Sequence, residues 1–283
     1  MVRRRRSILA AWIAALLLCA LPVHAQSADV AGAAEANDAN GEETGELATT
    51  TGGYSEFDAQ GRIVAEFGSP VIDGKIDPIW NKARMFRARH KSGATDASAS
   101  FRAMWDDRAL YILAKVKDSH LSVQSGTPYM QDSLEIFLDE DNNKSQEYGA
   151  DDLQIRVNVE NVQSVDKGDA SRFYTAVSKT EDGYIIEARV ALKNKPANGT
   201  VMGIELQIND AVEAERVGTL NVFDATGMAW NDTSLFGEIV LTGKRIGDKS
   251  GVNPYDLLIL MRQALSLDFS LYKNPDVVRN AIL

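Results

Sequence analysis

The chain has 283 residues, 45% of them apolar, and a formal net charge of −10. That length holds one or two domains with an ordinary hydrophobic core. So acidic a balance argues against nucleic acid or an anionic membrane surface as a partner.

Residues 1–25 read as a signal peptide, with four arginines at positions 3–6, an apolar run from Ile8 to Val23, and the small Ala25 before Gln26. Its removal deletes four Arg and no acid, leaving 26 basic against 40 acidic residues, a net charge of −14. The mature chain is expected to be secreted or periplasmic. The only cysteine, Cys19, falls in this segment behind Leu18, where a bacterial lipoprotein signal wants a small residue. Simple cleavage is therefore preferred to acylation. With no thiol left, stability outside the cytosol must come from packing or bound ions. No later apolar run reaches the roughly 18 residues of a membrane span.

Residues 26–64 are rich in Ala, Gly, Thr, Asp and Glu, and read as a disordered acidic linker. From 65 to 242 the pattern changes to short alternating runs between turn residues. The expected strands are Phe101–Trp105, Leu110–Lys117, Asp132–Leu138, Gln154–Val159, Phe173–Lys179, Gly183–Val190, Met202–Asp210, Gly218–Asp224 and Phe236–Leu241. Asp73-Gly74 and Asp182-Gly183 are turn signals. Strands at this spacing predict an all-β domain, an antiparallel two-sheet β-sandwich or a barrel.

Two of these runs share a feature. Leu134, Ile136 and Leu138 point to one face, leaving Glu135 and Phe137 on the other. Ile155, Val157 and Val159 do the same, leaving Gln154, Arg156 and Asn158 opposite the core. Were the two strands neighbours, Glu135, Gln154, Arg156 and Asn158 would form one polar patch able to bind a hydroxyl-rich ligand. A plain cross-strand ion pair, worth roughly 0–1 kcal/mol at a surface, explains the charges equally well. Tyr129, just before the first strand, and Trp230, in a turn-like segment, are either lids on a core edge or rings for the apolar face of a pyranose. Trp80 and Trp105 sit inside patterned elements and read as core. Asp139 and Asp141, with Asp151 and Asp152, cluster hard oxygens that suit calcium. A solvated acidic turn has the same spacing.

Residues 243–283 predict a short helical tail. Asn253 caps, Pro254 opens the first turn, and Leu257, Leu260, Met261, Ala264 and Leu265 share a face. Residues 254–267 are read as a surface for a protein partner, or as a helix docked on the sandwich.

From about Gly68 to Thr242 the chain resembles a family 9 carbohydrate-binding module, of the kind attached to secreted xylanases. The resemblance lies in SPVIDGKIDPIW, MWDDRALYILAKVKD, PYMQDSLEIFLDEDNN, LQIRVNVE, DGYIIEARV, GIELQINDA and AWNDTSLFGEIVL. It implies a β-sandwich that binds β-linked plant polysaccharide, xylan or cellulose, and is not itself catalytic. By motif, Trp230 matches one of two clamping rings, and Glu135, Arg156 and Asn158, with Gln154, match polar contacts to the sugar. Tyr129 stands where the family's well-known members have Trp, and Gly227 where an Asn is usual. The resemblance also implies structural calcium. Related haem-binding domains use Met and His, but only His90 and His120 follow the signal, so no haem is expected.

Two other functions compete. A glycosidase needs paired carboxylates across a cleft, yet Asp132 and Glu135 differ by an odd number of positions and fall on opposite faces of a strand. About 40 residues follow the sandwich, too few for a catalytic domain, so any enzymatic role is expected to be that of an accessory module of a glycoside hydrolase. The third reading is a surface or periplasmic adaptor that uses the tail.

Overall fold

Residues 55–251 are described by the computed structural model, and alternation between turn residues gives strands throughout them. There are thirteen: β1 (Ile63–Phe67), β2 (Met85–Arg87), β3 (His90–Gly93), β4 (Ser98–Trp105), β5 (Ala109–Lys117), β6 (Ser133–Asp139), β7 (Leu153–Asn158), β8 (Gln163–Lys167), β9 (Phe173–Thr180), β10 (Gly183–Ala191), β11 (Val201–Val212), β12 (Glu215–Asn221) and β13 (Gly237–Thr242). Among the described residues the only helices are four short 3-10 turns. The expected signal peptide and the tail helix from Asn253 lie outside the described residues, as does the expected linker up to residue 54.

The hydrogen-bonded order is β8-β7-β6-β11-β13-β1-β4-β5-β10-β9, with β12 joining β11 to β3 and β2 pairing with β4. This is one curled sheet whose inner faces share a core, consistent with a sandwich. The purely antiparallel expectation is corrected at β1, which runs parallel to both β13 and β4. Parallel neighbours need a long connection, and residues 68–97 supply one between β1 and β4. The ordered body also starts earlier than residue 65. β1 opens at Ile63, and Phe57 is buried 5.9 Å from the Phe86 ring and 5.7 Å from the Phe223 ring.

The inner faces meet through residues such as Leu134, Ile136, Ile155, Val157, Ile204 and Leu206, together with Phe101, Trp105, Ile112 and Ile186. A smaller core lies where Ile72, Trp80 and Ala83 cover Met104, Tyr111 and Leu113 on β4 and β5. Trp80 and Trp105 are fully buried, as expected, and each indole N–H is satisfied, by Glu187 Oε1 at 2.9 Å and Thr242 O at 2.7 Å. The Asp73-Gly74 turn closes over the same carboxylate, with both amides donating to Glu187 Oε2. Gly74 has φ +81°, and a Cβ there would lie 2.7 Å from Ser178 Oγ, so the turn needs glycine.

β11 is the central strand of the polar half of the sheet. One edge pairs with β6 over Gly203–Asn209; the other passes from β13 at Ile204 to β12 at Gln207. Glu205 fills that handover. Its carboxylate accepts the amides of Leu206, Val222, Phe223 and Asp224 at 2.7–3.0 Å, so that donors at the handover are satisfied where the ladder ends.

Candidate functional site

β6 and β7 are antiparallel neighbours in the register that brings the two polar faces together: Ser133 opposite Asn158, Glu135 opposite Arg156, Phe137 opposite Gln154. β11 adds Gln207 beside Glu135 and Asn209 beside Ser133, and β12 adds Asn221 beside Gln207. The result is a continuous polar floor across four strands. Arg156 Nε lies 2.8 Å from Glu135 Oε1, and its other nitrogens donate to Ser164 Oγ at 2.9 Å and Asp166 Oδ2 at 2.7 Å. Glu135 also accepts from Gln154 Nε2 at 3.2 Å and Asn209 Nδ2 at 2.8 Å. Asn209 Oδ1 accepts from Gln207, whose own Oε1 accepts from Asn221.

The ion pair is not the surface pair weighed from sequence. Glu135 and Arg156 are 2% and 3% exposed, and Gln154, Asn158, Gln207 and Asn209 are buried with them. Burial opposes the Arg156 charge, but Glu135 and Asp166 hold its pKa above the ordinary value. Charges packed this way are fixed in place, and removing one partner is costly.

The segments that carry the two rings lie at opposite ends of β6. Tyr129 belongs to the 3-10 turn Pro128–Met130 that leads into the strand. Asn158 Nδ2 donates to Gln131 Oε1 at 2.7 Å, which ties that turn to the Ser133 end of the floor. Trp230 belongs to the loop after β12, organised by Asp224, which accepts from Thr226 and Ala229. Ala229 packs on Phe137 and Phe236, and its carbonyl accepts from Tyr148 Oη at 2.5 Å. Phe137 is thus buried by this loop, whereas the alternation alone left it facing outward. From Ser133 to Phe137 is four residues, about 13 Å of strand. Tyr129 and Trp230 are 46% and 52% exposed, so neither is a lid sealed onto the core. Gly227, in the Trp230 loop, has φ +71° and open space around it.

Of the acids expected to hold a metal, Asp139, Asp151 and Asp152 present oxygens within 4.8 Å of one another. Asp141, also expected there, lies beside this trio rather than within it. Its turn continues into Asn142 at φ +52°, its carboxylate accepts from Asn143 N, its amide donates to Asp151 Oδ2, and its carboxylate also interacts with the Asp139 and Asp151 side chains. Burial raises the Asp139 and Asp152 carboxyls, and one oxygen of each is buried without a hydrogen bond. A second group was missed in the sequence. Asp118, Asp132 and Asp210 are all buried with oxygens within 4.8 Å. Asp118 Oδ2 and Asp210 Oδ2 have no hydrogen-bond partner, and burial, with both neighbouring charges, pushes Asp132 up to about 8. No local spacing signals this cluster; the β6–β11 register, Ser133 opposite Asn209, is what brings Asp210 to Asp132. Hard, buried, unneutralised oxygens in both groups fit a divalent cation such as calcium.

The model of the carbohydrate family 9 binding domain-like family matches residues 72–244. An exoglucanase, XynX, from Acetivibrio thermocellus is 45% identical over 187 residues, covering 65% of this chain and 17% of that enzyme. An endo-1,4-beta-xylanase A from Thermoanaerobacterium saccharolyticum is 43% identical over 198 residues, 68% of this chain and 17% of its own length. The chain therefore spans under a fifth of these curated relatives. A family 9 carbohydrate binding module from Caldicellulosiruptor kristjanssonii, solved with glucose and with cellotriose, is 50% identical with a TM-score of 0.65 in both complexes. The matches cover 66% and 68% of this chain and 98% and 100% of the module.

Proposed function

This chain belongs to the carbohydrate family 9 binding domains, and on that premise we propose that it is an exported, non-catalytic protein that binds β-linked glucan or xylan chains. The observation that carries the reading is a buried, hydrogen-bonded polar floor with half-exposed rings in the segments at the two ends of β6. Tyr129 and Trp230 present apolar faces to a pyranose, and Glu135, Arg156, Asn158 and Gln154 orient its hydroxyls. The floor is held by its own hydrogen bonds before any ligand arrives, which lowers the ordering cost of binding. A site with two rings and few polar contacts predicts a Kd between millimolar and micromolar, roughly −4 to −8 kcal/mol. The kinship with xylanases favours a role as an accessory module in polysaccharide breakdown. Asp139, Asp151 and Asp152, and separately Asp118, Asp132 and Asp210, would hold calcium as structural ions.

Trp230→Ala tests the assignment. The loop is anchored by Asp224 and Ala229 rather than by the indole, so the variant folds. It is expected to lose retention on insoluble cellulose and xylan with its melting temperature within a few degrees of wild type. Undiminished retention sinks the clamp.

A further inference from the structure

We propose that Arg216 forms a third wall of the sugar site and gives it a preference for β-linked glycans that carry a carboxylate, as a uronic acid side group does. This rests on the saccharide reading of the site. Arg216 lies on β12 and is exposed. Its Cζ stands 5.3 Å from the Tyr129 ring centroid, and its Nη1 donates to Asn209 Oδ1 at 3.0 Å. Asn209 in turn donates to Glu135. The guanidinium therefore spans from one clamping ring to the floor, bordering the space a stacked sugar would use.

The two arginines of the site differ in what they have left to offer. Arg156 is buried and neutralised by Glu135 and Asp166. Arg216 is exposed and forms no ion pair with a carboxylate among the described residues, although Glu213 and Glu215 flank it in the β11–β12 hairpin. Asn209 uses one of its five N–H donors. What remains is a planar fork that matches a carboxylate better than a hydroxyl. On a chain of net charge −10, which otherwise repels anionic glycans, this local cation decides whether an acidic substituent is admitted.

Calorimetric titration of the full chain with a neutral xylo-oligosaccharide, and with the same oligosaccharide bearing one glucuronate, tests the proposal through the ratio of the two affinities. Wild type is expected to favour the acidic ligand by roughly 2- to 5-fold, the range of an exposed charge-assisted pair. Raising salt to about 1 M, where charges are screened beyond ~3 Å, should bring the ratio close to one. Arg216→Gln should do so at low salt, and Arg216→Lys should restore part of it. A wild-type ratio at or below one overturns the proposal, as does an Arg216→Gln variant that keeps the preference or weakens both ligands equally. If wild type binds neither ligand, the saccharide reading itself has failed, and this inference with it.

Discussion

At the scale of single residues, the site turns on one buried pair. Arg156 has a second carboxylate, Asp166, which is half exposed, while Glu135 has amides but no other cation. Removing the Glu135 charge without its volume therefore leaves Arg156 partly neutralised and costs less than breaking an isolated pair, about 2–3 kcal/mol against the usual ~3–5. Glu135→Gln is expected to lower the urea unfolding free energy by that amount and to weaken cello-oligosaccharide binding at least tenfold, since the acceptor and the aim of Arg156 change together. Circular dichroism melts alongside calorimetry would separate the two effects. Stability intact with binding lost would mean that the pair serves the ligand alone. Every floor residue chosen from the sequence alternation is in the floor, because a two-residue period leaves no other face for it. Gln207, Asn209, Asn221 and Arg216 were not singled out. They lie on strands whose pairing with β6 no sequence pattern announces.

Between elements, two buried glutamates have structural roles that their strands' hydrophobic pattern hides. Glu187 on β10 closes the Trp80 segment onto the sheet, and Glu205 spans the β13-to-β12 handover. Burial raises both to about 7, outweighing the N–H donors that favour the charged forms. The folded state holds these protons above the unfolded value of 4.5, so the contribution of these two groups to stability is fully present below pH 4.5 and is lost as pH rises toward and past 7. Each group costs up to about 3 kcal/mol by pH 8. Urea unfolding between pH 5 and 8 should show this decline, and Glu187→Gln should flatten it while losing stability at pH 5. An unchanged slope in the variant would assign the pH dependence elsewhere. The nine strands expected from sequence are all present, with ends shifted by a few residues. Those missed are β1, β2, β3 and β8, each three to five residues long. β2, β3 and β8 are also mostly exposed or half-exposed, so no hydrophobic alternation marks them. β1 hid behind an acidic, Gly-rich stretch, and Phe57 with it.

For the whole molecule, the question is how a β-fold with no disulfide tolerates six acids in two tight groups. The chain has a single cysteine, so no intrachain disulfide can staple it. Backbone amides neutralise only part of each group: Ala211 N and Ser122 N reach Asp132, Lys144 N reaches Asp139, and Gly149 N reaches Asp152. The remaining oxygens need protons or a cation. A divalent cation would neutralise them, and it would stabilise the fold because it binds the folded arrangement and not the scattered acids of the unfolded chain. Calcium at about 100 times its Kd would add ~2.7 kcal/mol per site, or roughly 5–10 °C in melting temperature for a domain of this size. Chelation should reverse the gain. Asp210→Asn separates this from a general ionic effect. It removes one repelling charge, so the chelated variant should melt higher than chelated wild type. It also removes a ligand, so the calcium increment should shrink. That crossing of the two melting temperatures is the signature of a cation holding the group together, and parallel shifts in wild type and variant would leave the acids as a proton-sharing cluster instead.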